Sequence, residues 1–597
     1  MVIRRTAFRA TAGLVLLLAA MPALAADRGG AGWWTGYRGD GSGVHHESHP
    51  PTEFDEKTGK NILWKVPMPE WGHGCPTAAR GRVLLMCEPG RESDWPVLLC
   101  LDEKDGRLLW RKEINHLSEL IKDEADRREI ERTWHEMLAK YRTAYKLFNG
   151  WFYAQEDAKE GWEEKFEEQG LVFNGWSGGG YGQLRRMKFK DPAAHAANLK
   201  TLARGGLSLE TWYHGCGLGT SCVGQAFAAP LCDGQLVYVA TGLHSYACLD
   251  MDGKLLWLKS VRGDGSQGGN DYCKNARQPL LYSDLFISDS GALVRAMDRK
   301  TGELRWSAWL RDQPQKGKGK VAIPHLSILS PMIIQAGEKD ILLCGGGGKT
   351  ATGTDDDETG GSLRAFLLPG GEPLPVEGWC NPGLWAVVKY DEPDVVFFTG
   401  GGQHGGWSEN DLYGDHPSPA AVKFSLAGGK LAGKLLWCGI EGKSSRHQAS
   451  IVYHEGKVYM PDGVILDAQS GKILAGSKDE RGNPAARATP ATRHLIEIAG
   501  GHVYGLREGR GSETKPPQDA VFEVYSLDGK KVSENRLSNA PVEGEKQRQV
   551  IETQGWNTWH FSYACPFTIA ADRIYVRSYD YLWCIGRKGD TRRGVEP

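Results

Sequence analysis

Histidines and arginines recur beside one landmark in this sequence, a small or polar residue followed by proline. His73 and Arg487 each stand three residues before such a proline, and His325 and His560 stand six before it. Arg277 and His447 fall in comparable places, and His404 lies in a glycine-rich stretch. Brought to one place, such side chains would hold a polar or anionic ligand, and the imidazoles could serve as metal ligands or a general base. The other reading makes each an ordinary loop residue with local hydrogen bonds. The run Asp355-Asp356-Asp357-Glu358, between Gly353 and Gly360, has the clustered oxygens that calcium favours. Its other reading is a solvated loop.

The 13 cysteines are an odd number, so at least one is unpaired or pairs between chains. Their expected order of use is free thiol, then disulfide, then metal ligand. Cys100, Cys248 and Cys584 occupy one slot of the repeat described next, where a third copy has Ala296. A slot shared by alanine and cysteine is a small buried position. Cys75 and Cys565 share another slot, just before proline. Cys216 and Cys222, in a glycine-rich stretch, are the better disulfide candidates.

One pattern repeats: a small residue and proline, an apolar strand, a second strand ending in Asp, a Gly, and a strand closing on Trp. The clearest copies contain Cys75-Pro76, Asp102, Gly106 and Trp110; Ala229-Pro230, Asp250, Gly253 and Trp257; and Gln278-Pro279, Asp298, Gly302 and Trp306. Fainter copies start at Ser330-Pro331 and near Tyr390. Others hold Asp467 with Gly471, Asp528 with Gly529, and Trp583-Cys584-Ile585. Apolar, β-branched and aromatic runs bounded by Gly, Asp and Pro read as strands. Copies of four short strands at this spacing define propeller blades. The 78 glycines and 21 tryptophans suit that architecture. The expected fold class is therefore all-β, an eight-bladed β-propeller of four-stranded antiparallel blades. The last copy lacks its closing strand, and Asn61-Ile62-Leu63-Trp64-Lys65 supplies one from the other end. The strand around Leu63 should pair with the strand around Trp583, which ties the chain ends together and removes open sheet edges.

The expected organisation is a signal peptide at 1–25, a lead-in at 26–60, and the closing strand with blade 1 at 61–112. A mainly helical insertion at 113–221, blades 2–8 at 222–587 and a tail at 588–597 complete it. In the insertion, Leu117, Leu120, Ile121, Ile130, Trp134, Leu138 and Tyr141 recur at helical spacing and form one face. Further helices are expected around Trp162 to Glu168 and Pro192 to Ala203. The insertion reads either as a lid or partner-binding arm, or as packed decoration.

The Asp-Gly-Trp pattern resembles the PQQ-type propeller repeat with its tryptophan-docking motif. That family includes quinoprotein alcohol dehydrogenases and the propeller lipoprotein of outer-membrane assembly. The resemblance covers roughly residues 61–585 outside the insertion. It implies a propeller and makes PQQ with calcium a conceivable cofactor pair, but fold alone does not carry function. The dehydrogenases carry adjacent cysteines beneath the quinone, and this sequence has no adjacent pair and no Cys-x-x-Cys-His haem site. The segment Trp33-Trp34-Thr35-Gly36-Tyr37-Arg38-Gly39 is similar to the Trp-x-x-Phe-Arg-Gly lead-in of many secreted members. It is expected to pack across the propeller edge.

Arg4, Arg5 and Arg9, the apolar run 14–20 and Ala23-Leu24-Ala25 together predict a cleaved export signal ending near Ala25. Phe8 falls one place late for a twin-arginine pattern. The expected location is periplasmic or secreted, with no later membrane span. A formal net charge of -2 offers no basic surface for nucleic acid. The leading expectation is a binding scaffold that holds a small ligand, a glycan or a protein partner at the channel mouth. The alternative is a PQQ-dependent oxidoreductase.

Overall fold

The computed structural model describes residues 35–589 outside the connections 154–160, 174–187, 208–225, 261–276, 311–329, 346–362, 379–384, 400–418, 441–449, 479–483, 508–518 and 539–566, and a few shorter ones. Eight antiparallel sheets of four consecutive strands form a ring. Blades 1 to 7 span residues 77–113, 231–260, 280–309, 332–374, 385–438, 452–475 and 496–537. Blade 8 combines residues 567–585 with the strand Ile62–Pro67. The first strand of each blade lies innermost, and the first strands of most neighbouring blades touch. Blade 5 begins at Trp385, so Tyr390 lies in its first turn rather than at its start.

Ring closure follows the pairing expected from the missing strand. Lys65 pairs with Trp583, Val66 with Leu582 and Trp64 with Cys584. The chain thus ends its last sheet with its own beginning.

Between the third and fourth strands, seven blades carry a one-residue bulge. It falls at the same place each time. Cys100 faces Trp110, Cys248 faces Trp257 and Ala296 faces Trp306, and the residue before each Trp has no partner. This explains the small slot: it sits directly beside an indole, and Cys100, Cys248, Ala296 and Cys584 are fully buried. Burial pushes the Cys100 and Cys584 thiols up to about 12, which fits core residues rather than nucleophiles. The extra residue turns outward, so Leu256, Leu436, Leu474 and Val532 stay exposed although they are apolar. A bulge also sharpens local twist, and here it aims the following Trp at the next blade.

Five of these indoles dock in the same way. Trp64, Trp110, Trp257, Trp306 and Trp437 donate their Nε1–H to the carbonyls of Glu103, Met251, Arg299, Pro369 and Ala468, at 2.7–3.0 Å. Each acceptor lies in the third-to-fourth-strand turn of the following blade. The Asp of that turn fixes it by accepting backbone N–H groups: Asp298 takes those of Lys300 and Thr301, both at 2.9 Å. Arg305 and these N–H groups hold the Asp298 carboxyl down to about 2. The glycine of the turn lets the indole lie flat on the backbone. Gly302 has φ +71°, and a Cβ there would come within 2.7 Å of the Trp257 ring.

Among the described residues three interfaces show no docked Trp, and each has a strap instead. Val376–Gly378, after blade 4, runs parallel to the outer strand of blade 5. The hairpin of Ser477–Lys478 and Pro484–Ala486 leads into Ala488, which approaches Gly529 in blade 7. Residues 52–56 strap blade 7 to blade 8: Phe54 N–H donates to Asn535 at 2.8 Å, and Glu56 pairs with Lys65 at 2.6 Å.

The insertion is helical at α1 (Leu117–Leu120), α2 (Glu124–Tyr153), α3 (Trp162–Glu168) and α4 (Pro192–Arg204). Ile130, Trp134, Leu138 and Tyr141 are buried with Leu117, Phe166 and Leu202 in a separate small core. Leu120, expected on that face, is exposed because α1 ends there after one turn. Trp95 of blade 1 joins this core, and Trp134 Nε1 donates to the Asp94 carbonyl at 3.1 Å. The insertion is therefore anchored on the loop between the second and third strands of blade 1. Among the described residues no helix is long and apolar enough to cross a membrane.

The docking geometry separates two glycines of similar φ. Gly302→Ala should destabilise by about 2–3 kcal/mol, from backbone strain plus collision with Trp257. Gly337→Ala, at φ +64° with open space around it, should cost only the strain, about 1 kcal/mol. Urea unfolding of the two variants beside the parent checks the difference.

Candidate functional site: the channel and its mouth

The lead-in does not pack across the edge as its sequence suggested; it fills the centre of the ring. Thr35 exchanges two backbone hydrogen bonds with Cys232 on the inner strand of blade 2, at 2.8 and 2.9 Å. Tyr37 is buried in one cluster with Cys75, Ala229, Leu495 and Phe567, which border the inner strands of blades 1, 2, 7 and 8. Its hydroxyl lies 3.0 Å from Ser450 Oγ, ahead of blade 6. Arg38 is buried, with φ +55°, and donates to the carbonyls of Ile451 (2.8 Å) and Ile496 (3.4 Å). Val44 and His45 then pair in parallel with Ile498 and Ala499 of blade 7. The reason is steric and polar together. The ring leaves a hole lined by inner-strand edges whose backbone groups need partners; Thr35, Val44 and His45 pair with them, and the residues between fold into tight turns, with Gly36 and Gly39 bonded to each other.

The segment enters and leaves on the side of the first-to-second-strand turns. His45 Nε2 meets the fully buried Glu497 at 3.0 Å, and the same Glu497 oxygen accepts the Ile569 N–H at 3.0 Å. The opposite mouth, where the inner strands begin, is the one the sequence singled out.

Buried polar side chains at that mouth bridge adjacent blades. Arg277, just before blade 3, pairs with Asp289 at the end of that blade's second strand and donates to Gly345 O of blade 4 at 3.5 Å. Arg295 donates to the Tyr246 hydroxyl of blade 2 at 3.4 Å. Arg577 ends the second strand of blade 8 and donates to Met86 O (2.6 Å), Gly74 O (3.3 Å) and Cys87 Sγ (3.2 Å) of the blade 1 region. Glu70 accepts the Ser93 N–H at 2.7 Å, Glu88 accepts the Ala226 N–H at 2.9 Å, and Asp462 pairs with Lys478. Burial raises the Cys87 and Cys344 thiols, although Arg577 and Arg277 oppose the shift, and it raises the Tyr246 phenol. All three stay protonated near neutral pH, so these groups build the mouth rather than attack a ligand.

Of the side chains proposed from sequence, only Arg277 and Arg487 fall among the described residues. Arg277 belongs to the mouth network. Arg487 sits 3.8 Å from Glu523, on the third strand of blade 7 beside Lys531, rather than at an inner strand. The connection from blade 6 carries it outward before turning back to Thr489. The two are not brought together. His73, His325, His404, His447 and His560 lie outside the described residues, as do Asp355, Asp356 and Asp357. Sequence reasoning missed Asp289, Arg295, Glu70, Glu88 and Arg577. Asp289 and Arg577 carried a usable signal: each is a charge closing an otherwise apolar second strand.

The described cysteines follow the expected order: Cys87, Cys100, Cys232, Cys248, Cys344, Cys438 and Cys584 are free thiols, and Cys75 is disulfide-bonded. It lies at the seam between blades 1 and 8, with its Sγ 4.0 Å from Phe567 O. Cys216, Cys222 and Cys565 lie outside the described residues.

A quinone with calcium would need converging oxygen donors. The buried carboxylates of the mouth are each committed separately, Asp289 to Arg277, Asp462 to Lys478, Glu70 and Glu88 to backbone N–H groups. Among the described residues no three His, Cys, Asp or Glu side chains are grouped to hold a metal ion.

Fold and site together define an eight-bladed propeller with tryptophan-docked blades. Residues 217–349 match the family described as outer membrane protein assembly factor BamB. No curated protein matches the chain. Similar solved structures include BamB from Moraxella catarrhalis, at 13% identity over 60% of this chain and 82% of that one, TM-score 0.33. Another is the quinohemoprotein alcohol dehydrogenase from Comamonas testosteroni, at 11% identity over 94% and 82%, TM-score 0.36. A europium-containing methanol dehydrogenase matches at 11% identity over 84% and 78%, TM-score 0.33.

The buried pair at the mouth makes a quantitative expectation. Arg277→Met alone should destabilise by about 3–5 kcal/mol, because Asp289 is left buried without its counter-charge. Adding Asp289→Leu should recover most of that loss. A double-mutant cycle by chemical denaturation reads the coupling.

Proposed function

We propose that this protein is an exported propeller scaffold that binds a small ligand, a glycan or a protein partner at the mouth where the inner strands begin. The observation that carries this reading is the filled channel. Residues 35–45 occupy the centre from one side, so a ligand approaches the ring axis from the other. The inner strands of successive blades begin there, and propellers and barrels assemble concave sites at such strand ends. The helical insertion stands on the blade 1 loop of the same side, anchored by Trp95 and Asp94, where it can extend that surface. The matched family description, an assembly factor, supports a role in holding partners rather than in chemistry. The charge and hydropathy pattern of the first 25 residues supports export to the periplasm or beyond.

The competing reading is a PQQ-dependent oxidoreductase, and the two separate cleanly. Titration of the mature protein with PQQ and calcium, followed by absorbance and by dye-linked alcohol oxidation, should give neither saturable binding nor turnover. Saturable binding with turnover would overturn the scaffold reading and make the mouth an active site.

A further inference from the structure

Residues 35–45 meet the ring through backbone pairing at their two ends and through buried side chains, Tyr37 and Val44, that join the cores of the surrounding blades. Recognition is mainly by backbone: Thr35 with Cys232 of blade 2, and Val44 and His45 in register with Ile498 and Ala499 of blade 7. This is strand addition to an open sheet edge, here on the inside of the ring. Two side chains key the position. Tyr37 reaches Ser450, and Arg38 lies buried with its guanidinium on carbonyls of blades 6 and 7. The planar donor fork of arginine suits such carbonyl recognition, and lysine would not reproduce it. The sequence around them is shaped for the seat. Gly43 has φ +74°, and a Cβ there would lie 2.3 Å from Arg38 Nη2. Ser42 folds back on Asp40, its N–H at 2.9 Å from Oδ1, which closes the loop that presents Arg38. The receptor side carries a charge, the fully buried Glu497, which faces His45; burial lowers the pKa of Arg38, and Tyr37 and then Glu497 oppose that shift.

The segment is also separable from the ring's closure. His46 and Glu47 are exposed on leaving the channel. Beyond them the chain is fastened again, by His49 N–H to Asp572 at 2.5 Å, by the Tyr504 hydroxyl to Pro50 O at 3.1 Å, and by Asn535 to Thr52 O at 3.1 Å. The closing strand Ile62–Pro67 thus has its own attachments and does not need residues 35–45 to hold it.

We propose that the channel is a peptide-binding site, specific for a glycine-rich segment that presents Tyr-Arg in a tight turn between two short pairing ends, that is loaded in cis by the lead-in and accepts the same segment in trans. A second copy of this chain, or a synthetic peptide of residues 33–47, is the ligand class it recognises. This site lies inside the ring and is independent of what the mouth binds.

The test uses a chain that keeps residues 48–597 but lacks 26–47, beside the mature parent. A capped peptide of residues 33–47 should bind the shortened chain saturably at one to one and raise its thermal midpoint by several degrees. The same peptide should leave the parent unchanged, because its site is filled. A peptide with Arg38→Lys should bind the shortened chain at least tenfold more weakly. A folded shortened chain that ignores the peptide, or that takes both peptides equally, overturns the proposal. If the shortened chain does not fold, a specific protease site placed at Glu47 in the parent allows cleavage after folding. The released amino-terminal fragment should then stay bound through gel filtration and exchange with labelled peptide; its loss on the column overturns the proposal.

Discussion

A tryptophan of one blade lying on the glycine turn of the next is the contact on which the ring depends. A single four-stranded blade has two apolar faces and cannot bury either alone. Each docked indole therefore performs two tasks, covering part of the neighbour's face and fixing the angle at which the neighbour sits. The bulge before the Trp makes this possible, because without the extra residue the side chain would alternate to the other face of the sheet. Trp257 illustrates the whole device: Cys248 is small beside it, Leu256 is turned out before it, and Gly302 and the Arg299 carbonyl receive it. Where the described residues show no such device, after blades 4, 6 and 7, separate segments strap the interface, so angular control is retained around the circle.

A ring built this way leaves an axial hole, and the hole sets the functional logic. Inner-strand edges cannot remain dry and unpaired. On one side the lead-in satisfies them; on the other, Arg277, Arg295 and Arg577 cross from blade to blade and satisfy carbonyls and carboxylates. Arg277, which looks like a ligand-binding group in sequence, here holds neighbouring blades in place.

The fold was legible in the sequence because its determinants are local and repeated. Asp298, Gly302 and Trp306 are close along the chain, and the same spacing returns in other blades. Ring closure was legible for the same reason, since a strand missing after Ile585 could be matched to one around Leu63. The bulge was not, because Leu256 reads like any apolar strand residue until its lack of a partner is known. The path of Tyr37 and Arg38 was not legible either. Their partners, Ser450, Ile451 and Ile496, are more than 400 residues away, and backbone carbonyls leave no mark in a sequence. Arg487 was misjudged as a mouth residue by position alone: three residues before a blade proline is a constant spacing, but the connection from blade 6 swings outward and delivers it to Glu523.

The central claim is that the beginning of the chain is a full structural member of the last blade. Hydrogen exchange followed by mass spectrometry reads this directly, by comparing peptides that cover Ile62–Pro67, Tyr581–Ile585 and the inner strand Phe567–Ala570. If the ring closes as described, amides of the first two segments exchange as slowly as those of the third, because they open only when the blade does. Fast exchange across 62–67 beside a protected 567–585 would mean that blade 8 stands on three strands, and the account of ring closure would be wrong.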